Sequence, residues 1–179
     1  SDLFDLTGKV AIITGSSLGI GRATAEAMAA HGAKVVISSR KADKCEIVAE
    51  GINQNGGEAM VISCHCSHKD QLQNLVDKTL DAWGRIDVLV CNAAVNPFYG
   101  SLSEIPDDAY DKIMDTNVKS NVWLTSMVIP QMIKLGGGSI IIVSSVAALI
   151  GTAKLGTYGL SKAADVALAR NLAVEWGKD

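Results

Sequence analysis

The sequence predicts an α/β protein built on a doubly wound parallel sheet with helices on both faces. Two observations carry this prediction. Five short runs rich in Val, Ile and Leu recur along the 179 residues, as expected for parallel strands that are buried on both faces. Longer amphipathic segments separate these runs, and this β-α alternation gives right-handed crossovers in a parallel sheet. Ligands of this architecture bind beyond the carboxyl ends of the strands.

Each element of the alternation can be placed by its residue pattern. The strand pattern occurs at 9–14, 33–38, 58–63, 86–91 and 139–144. The helical pattern occurs at 19–31, 41–55, 69–83, 107–135 and 157–176. Glycines fall where the first four helices should end, as in C-terminal caps: Gly32, Gly56, Gly57, Gly84, Gly136, Gly137 and Gly138. No linker or repeat interrupts the pattern, so we expect a single dinucleotide-binding-type domain over 1–179.

Composition excludes several classes of function. Hydrophobic residues make up 48% of the chain and the mean hydropathy is +0.24, values that indicate a folded protein. The formal net charge is −3 with both signs interspersed, so we expect neither a nucleic-acid-binding surface nor a membrane anchor. No signal-peptide pattern opens the sequence, and its most apolar stretch is too short to span a bilayer. We expect a soluble, cytoplasmic protein whose partners are small molecules or copies of itself.

The four cysteines favour reduced thiols over a metal site. They lie in or beside apolar segments, at Cys45, Cys64, Cys66 and Cys91, in a chain without secretory features. The tripeptide CHC at 64–66 has metal-ligand residue types, but no second pair at ligand spacing accompanies it. Adjacent strand residues also point to opposite faces of a sheet. We therefore expect no bound metal.

A glycine-rich turn follows the first strand and opens the first helix. In TGSSLGIGRA, Gly15 allows a tight turn, Gly19 allows a backbone to approach a pyrophosphate, and Gly21 allows close packing of helix and strand. Ser17 and Ile20 lie in the same turn and are also candidates to contact the dinucleotide. The N-terminus of the helix would face its phosphates. An ordinary glycine-rich turn is the alternative. Within a β-α-β unit, the pattern predicts dinucleotide binding and hence a Rossmann fold.

Further motifs follow in a fixed order. CNAA occurs at 91–94, DTNVKS contains Asn117, and VSSVAA precedes YGLSK, with Ser145 thirteen residues before Tyr158. Together with the G-x-x-x-G-x-G turn, these motifs resemble those of the short-chain dehydrogenase/reductase family. The stretches SSRK and VCNAAVNP resemble most the NADP-dependent carbonyl-reductase branch of that family. The resemblance implies an oxidoreductase that forms homodimers or homotetramers through helices 107–135 and 157–176.

The chemistry of hydride transfer gives these residues distinct roles. A carbonyl that receives a hydride needs a proton donor, and the phenol of Tyr158 can serve. Lys162 lies one helical turn on, where its positive charge favours the phenolate and where it can bind a nicotinamide ribose. Ser145 would hold the substrate oxygen, with Ser144 as its rival. The resemblance assigns Asn117 to a water in a proton relay; the alternative is a polar residue that satisfies neighbouring backbone.

The end of the second strand predicts which cofactor binds. The resemblance places an aspartate there in NAD-dependent relatives, where it binds the ribose hydroxyls. Here Ser39 is followed by Arg40 and Lys41, which suit a 2′-phosphate instead. We therefore expect NADP(H), with NAD(H) as the alternative. The resemblance also implies that Asn92 and Ala93 contact the cofactor, together with Tyr158 and Lys162.

Several positions depart from the family pattern. His65 stands where an aspartate usually lies near the adenine, Cys91 replaces the first asparagine of N-N-A-G, and Ala94 replaces its glycine. Family members run to roughly 250 residues, so the sheet is expected to be truncated at its C-terminal edge, without the segment that closes over substrate. The visible pocket would be lined by 94–100 and 146–155, which favour an apolar carbonyl or secondary alcohol.

Three other functions compete with a carbonyl reductase. A nucleotide-binding protein without turnover, acting as a sensor or oligomerisation partner, is motivated by His65 and Ala94. A sugar epimerase or dehydratase also uses Tyr and Lys, but such enzymes have a different glycine turn. A serine hydrolase is excluded because Ser145 is not in a G-x-S-x-G elbow and all three histidines lie early in the chain.

Overall fold

A five-stranded parallel sheet forms the centre of the molecule, with strand order β3-β2-β1-β4-β5. The computed structural model describes residues 3–179. The strands are β1 (Val10–Thr14), β2 (Lys34–Ser38), β3 (Glu58–Val61), β4 (Val88–Cys91) and β5 (Ser139–Ile142). From β1 the sheet grows outwards to β3, and the chain then crosses back to place β4 on the other side of β1. The direction in which successive strands are added thus reverses between β1 and β4, and doubly wound sheets bind their ligands at such a point.

Six helices cover the two faces of the sheet. They are α1 (Gly19–Ala30), α2 (Ala42–Gln54), α3 (Lys69–Trp83), α4 (Asp107–Met114), α5 (Ser120–Lys134) and α6 (Gly156–Trp176). The single helix predicted over 107–135 is interrupted between α4 and α5 by a π-helical turn, Asp115–Lys119. π-Turns of this kind often mark functional sites, and Asn117 lies in this one. Within residues 3–179, no helix is both long and apolar enough to cross a bilayer.

The core has two halves because side chains alternate along each strand. Ile12 of β1 packs with α3 and α5, whereas its neighbours Ala11 and Ile13 pack with α1 and α2. All five residues of β1 are buried, as are the last four of β2. The buried centre of the sheet therefore matches the prediction from its continuous apolar runs.

The outer strands differ from that prediction. Both β3 and β5 keep partly exposed side chains, and Ile141 of β5 is 43% exposed. Each strand lies at an edge of the sheet, where one neighbouring strand is missing among the described residues, so less of its surface is covered. Both also end two residues before their predicted limits, at Val61 and Ile142. An apolar sequence run therefore indicated strand identity correctly but not burial on both faces.

Candidate functional site

A cavity of about 360 Å³ opens at the carboxyl ends of the central strands. Nine of the residues predicted to bind cofactor line it: Gly15, Ser17, Gly19, Ile20, Ser39, Arg40, Lys41, Asn92 and Ala93. Seven further residues also line it: Leu18, Cys64, His65, Cys66, Ala94, Val95 and Thr116. Of these seven, Ala94 and Val95 belong to the 94–100 stretch expected to line the pocket, the two cysteines and His65 had been noted for other reasons, and no site role was predicted for Leu18 and Thr116. The turns after four different strands thus meet at one site.

The glycine turn has the shape that a phosphate cradle requires. Gly19 adopts φ 58°, and a Cβ there would meet no other atom within 4 Å, so its outer side is open space. Gly21 lies beneath the turn, outside the cavity lining, where a Cβ would lie only 2.5 Å from the Gly15 carbonyl oxygen and from Asn92 Nδ2. The first glycine leaves room for a ligand, and the second allows α1 to pack against the turn.

Two hydroxyl groups fasten this turn to its neighbouring strands. Ser16 is fully buried; its Oγ donates to the Ile13 carbonyl oxygen and accepts from Ser38 N, which joins the turn to β2. Thr14 Oγ1 accepts from the backbone N–H groups of Asn92 and Ala93, each at 3.1 Å. These bonds fix the turn before any ligand is present, so its shape is preorganised.

Asn92 acts on the turn as well as on the cavity. Its Nδ2 donates to the Thr14 carbonyl oxygen at 2.9 Å and to the Gly15 carbonyl oxygen at 3.2 Å. The predicted role for Asn92 was cofactor contact, and the residue does line the cavity. Its side-chain amide, however, is engaged with the protein backbone, so its clearest contribution is to shape the glycine turn.

Basic side chains gather at the β2 end of the cavity. Arg40 and Lys41 are exposed, while Ser39 Oγ accepts from Lys41 N at 3.1 Å and lies 3.2 Å from Cys45 Sγ. Burial lowers the pKa of His65, and the charges of His68, Arg40 and Lys112 lower it further. No acidic side chain is among the residues that line this cavity. This end therefore favours an anionic ligand.

The CHC segment turns both of its thiols inwards. Cys64 and Cys66 are both buried and both line the cavity, in the segment that follows the end of β3 at Val61. A hydrogen bond shared with Cys66, together with burial, raises the pKa of the Cys64 thiol. Among residues 3–179 no group of three or more His, Cys, Asp or Glu side chains is arranged to hold a metal ion.

Tyr158 and Lys162 lie on one face of α6, next to the end of β5. Lys162 Nζ is 5.9 Å from the centroid of the Tyr158 ring and donates to the Val143 carbonyl oxygen at 2.8 Å. The lysine is only 2% exposed, whereas the tyrosine is half-buried. The ammonium group of Lys162 points into the protein, so this lysine does not extend its charged end to water as most helix lysines do.

The two rival serines after β5 have different partners. Ser144 Oγ donates to the Lys162 carbonyl oxygen at 2.9 Å, so this hydroxyl holds α6 against the strand end. Ser145 Oγ accepts from Ala147 N at 3.2 Å, which leaves its O–H as a donor. Ser145 is therefore the serine whose hydroxyl can serve a ligand.

Asn117 is fully buried in the π-helical turn, and its side chain contacts two other segments. Oδ1 accepts from Val95 N at 2.8 Å, and Nδ2 donates to the Val95 carbonyl oxygen and to Ser161 Oγ. These bonds join the turn, the segment after β4 and α6. The side chain of Asn117 satisfies the backbone of Val95, and its role in a proton relay stays a prediction.

A narrow cleft beside Tyr158 is formed by the two stretches that were expected to contact substrate. Asn96 and Phe98 lie on one side of it, and Lys154 and Leu155 on the other. Gly100 N donates to the Lys154 carbonyl oxygen at 3.1 Å, which joins the two stretches. The neighbouring residues of 146–150 expose apolar side chains, including those of Val146, Leu149 and Ile150. Polar and apolar side chains thus both lie near the tyrosine, and the exposed ones of 146–150 are apolar.

Sequence reasoning missed two polar residues behind the site. Asp165 Oδ2 accepts from Lys162 Nζ at 3.0 Å, and Asp165 Oδ1 accepts from Asn121 Nδ2 at 2.9 Å. Both residues are buried, on α6 and α5. Asp165 follows Lys162 by three positions, a spacing at which helix side chains meet, and that spacing was the available signal.

Comparison with known proteins agrees with this geometry. The family profile described as short chain dehydrogenase matches residues 9–179. Dehydrogenase/reductase SDR family member 4 of Oryctolagus cuniculus is 44% identical over 170 residues, which cover 95% of this chain and 65% of the relative. Tropinone reductase-like 3 of Erythroxylum coca is 39% identical over 168 residues, which cover 94% of this chain and 64% of the relative. This chain therefore spans just under two thirds of the length of these curated relatives.

Solved structures give the same result. A 7α-hydroxysteroid dehydrogenase complexed with NADH and 7-oxo glycochenodeoxycholic acid superimposes with a TM-score of 0.94 at 35% identity, covering 98% of this chain and 68% of that one. A metagenomic short-chain oxidoreductase in complex with NADP superimposes with a TM-score of 0.92 at 36% identity, covering 95% of this chain and 77% of that one. The sheet order, the site and these similarities agree: the chain belongs to the short-chain dehydrogenase family.

Proposed function

We propose that this protein is an NADP(H)-dependent oxidoreductase of the carbonyl-reductase type, in which Tyr158 donates and accepts the proton. The observation that carries the proposal is the buried ammonium group of Lys162, 5.9 Å from the centroid of the Tyr158 ring. A cation held beside a phenol can stabilise the negative charge that develops when the phenol gives up its proton. The apolar side chains of Val146, Leu149 and Ile150, exposed on the segment that packs beside Tyr158, support an apolar carbonyl compound as the substrate.

The residues at the cavity fit a dinucleotide. Space is open outside Gly19, the N-terminus of α1 faces it, and Gly21 allows the turn and the helix to meet. A pyrophosphate bound there would receive backbone N–H groups and the positive end of the helix dipole. When bound, a nicotinamide dinucleotide supplies the hydride that a carbonyl carbon accepts.

The chain's own residues would handle the oxygen atom and the proton. Ser145 Oγ would donate a hydrogen bond to the carbonyl oxygen and hold it near the Tyr158 hydroxyl. Tyr158 would then release its proton to that oxygen as negative charge develops there. Lys162 would stabilise the phenolate that remains, and it would hold a ribose hydroxyl of the cofactor. Asn117, through Val95 and Ser161, would keep these segments aligned.

The choice of NADP(H) over NAD(H) is supported by charge at the β2 end. Arg40 offers a planar guanidinium that matches a phosphate, Lys41 adds a second cation, and no carboxylate lines the cavity to bind free ribose hydroxyls. The similar solved structures include complexes with NADP and with NADH. The basic end of this cavity is therefore the feature that favours the phosphorylated cofactor, and with it carbonyl reduction.

Assembly and location are also proposals. Helices α5 and α6 expose apolar side chains, including Val122, Ile133, Leu160 and Val174, which supports a homodimer or homotetramer through these helices. Sedimentation that shows only monomer at micromolar concentration would contradict this assembly. All four cysteines are free thiols, which fits a reducing compartment such as the cytoplasm.

A second candidate function is a nucleotide-binding protein without turnover. The observation that favours it is that Ala94 and Val95 both line the cavity, where the family pattern has a glycine at the first position. Their side chains reduce the space beside the glycine turn. In that case the protein would bind a dinucleotide and act as a sensor or oligomerisation partner.

The experiment that tests the proposed function is a fluorescence titration with NADPH and, separately, with NADH. Tight NADPH binding and much weaker NADH binding are expected, because Arg40 and Lys41 meet only the phosphorylated ribose. A preference for NADH would contradict the choice of cofactor, and binding of neither would contradict the site. Reduction of an apolar probe such as 4-nitrobenzaldehyde, followed by NADPH absorbance, then separates the reductase from the protein without turnover.

A further inference from the structure

The ammonium group of Lys162 has a carboxylate as its neighbour in the protein interior. Lys162 is 2% exposed and Asp165 is 1% exposed, and their charged atoms lie 3.0 Å apart. A buried charge is tolerated when an opposite charge and hydrogen bonds accompany it. The Cys91 thiol close by does not supply that charge, because burial raises its pKa and the charges of Cys66 and Asp165 raise it further. Asp165 is therefore the counter-charge of Lys162.

A second residue holds the carboxylate in turn. Asn121 Nδ2 donates to Asp165 Oδ1 at 2.9 Å and to the Asn117 carbonyl oxygen at 2.8 Å. A continuous chain of polar contacts thus runs from Lys162 through Asp165 and Asn121 to the π-helical turn on the neighbouring helix. Side chains fixed at both ends lose little freedom when a ligand arrives, which is the condition for a preorganised site.

We propose that Asp165, held by Asn121, is a positioning residue for Lys162, fixing the ammonium group where it meets the nicotinamide ribose. The inference rests on the proposed function, which assigns that ribose contact to Lys162. An ammonium group has three donors. The Val143 carbonyl oxygen and the Asp165 carboxylate take two of them and set the direction of the third. Without Asp165, the buried ammonium group lacks its counter-charge and moves towards water.

The test compares two ligands that differ at the nicotinamide end. NADPH carries the nicotinamide ribose, whereas 2′,5′-ADP carries only the adenosine half with its phosphates. Isothermal titration of both is carried out on the unaltered protein, Asp165→Asn and Lys162→Met. Glu58→Gln is the matched control, since it removes a carboxylate from the exposed ion pair with Lys34, 2.9 Å long and remote from the cavity lining.

The expected result is a split between the two ligands. Asp165→Asn and Lys162→Met should each weaken NADPH binding about tenfold or more, the value of a hydrogen bond to a charged group, and leave 2′,5′-ADP binding unchanged. Glu58→Gln should change neither. A merely structural role for Asp165 would weaken both ligands together and overturn the proposal.

A double variant keeps the test decisive if Asp165→Asn folds poorly. Lys162→Met with Asp165→Leu removes both buried charges, a change that proteins often tolerate. If Asp165 acts through the lysine, the double variant binds NADPH as Lys162→Met alone does, and a further loss would overturn the proposal. If Lys162→Met binds NADPH like the unaltered protein, the proposed function loses its ribose contact and this inference falls with it. Weak NADPH binding by Lys162→Met with normal NADPH binding by Asp165→Asn would overturn the inference alone.

Discussion

The two ends of the site are built in opposite ways. At the β2 end, Arg40 and Lys41 are exposed on a turn and line an open cavity. At the β5 end, Lys162 is buried, and its ammonium group is fixed by a carbonyl oxygen and a carboxylate. An exposed cation is well solvated without its ligand, whereas a buried one depends on its protein partners.

Because of this difference, we expect the exposed end to determine cofactor affinity and the buried end to determine the rate of the reaction. Changes at the exposed end should alter which cofactor binds, with little effect on folding, because solvent replaces the lost contacts. Changes at the buried end should affect the reaction and the stability of the protein together.

Tyr158→Phe should abolish most turnover while NADPH still binds. The variant keeps the ring and removes the proton donor, so kcat should fall by about 10²- to 10⁴-fold, the usual contribution of a general acid. NADPH-dependent reduction of 4-nitrobenzaldehyde measures kcat, and fluorescence titration measures binding. Tyr110→Phe, on the partly exposed face of α4, is the matched control and should be as active as the unaltered protein. Unchanged turnover in Tyr158→Phe would remove this residue from the mechanism.

Gly21→Ala should damage the buried support of the glycine turn. Its Cβ would lie 2.5 Å from the Gly15 carbonyl oxygen, so the turn must shift, at a cost of about 1–3 kcal/mol in the free energy of unfolding. Urea unfolding measures that cost, and NADPH titration should show weaker binding. Gly51→Ala is the control, since its Cβ would meet no atom within 4 Å on α2, and it should stabilise the protein by about 0.5–1 kcal/mol. Equal stability of the two variants would contradict the packing argument.

Arg40→Met should change cofactor preference without changing stability. The loss of one charge-assisted bond to a 2′-phosphate should weaken NADPH binding about tenfold and leave NADH binding unchanged. Arg22→Met, which removes an exposed arginine of α1 paired with Glu26, should affect neither cofactor. If Arg40→Met weakened NADH binding equally, the guanidinium would not distinguish the two cofactors.

His65→Gln should alter how stability depends on pH, the smallest of the four effects. Burial, aided by His68, Arg40 and Lys112, holds the pKa of His65 below its ordinary value, so the folded state disfavours the protonated ring. The corresponding stability is present above about pH 6.5 and is lost as the pH falls through the lowered pKa. Urea unfolding across this range should give a flatter curve for the variant. A curve parallel to that of the unaltered protein would show that His65 does not contribute.

The fold could be predicted from the sequence because its signals are local. Continuous apolar runs marked the strands, and the glycine turn marked where β1 gives way to α1. Burial could not be predicted equally well, since the exposure of β3 and β5 depends on strand order and not on the residues of those strands. The break in the helix at Asp115–Lys119 left no periodic signal.

The candidate site was predictable where residue type and motif spacing act together. The Y-x-x-x-K spacing predicted that Tyr158 and Lys162 share one face of a helix, and the structure brings them together. Asp165 and Asn121 were missed, since a charged or amide residue on a helix is usually solvated, and only the packing of α5 against α6 buries this pair. The anchoring role of Asn92 could not be predicted from the sequence either, since its backbone partners lie 77 and 78 residues away.

The hydrogen bonds of Thr14 to the end of β4 determine when the site can form during folding. Its hydroxyl group joins β1 to the end of β4, with Val90 lying 76 residues further along the chain, whereas β2 and β3 are much nearer in sequence to their partner strands. Distant pairings form slowly, because a long loop must close before its contacts stabilise it. A partly synthesised chain can contain the glycine turn and still lack Asn92 and Ala93, whose hydrogen bonds shape that turn. Dinucleotide binding should therefore appear late in refolding, as a reporter of the docking of β4 rather than of the earlier half of the sheet.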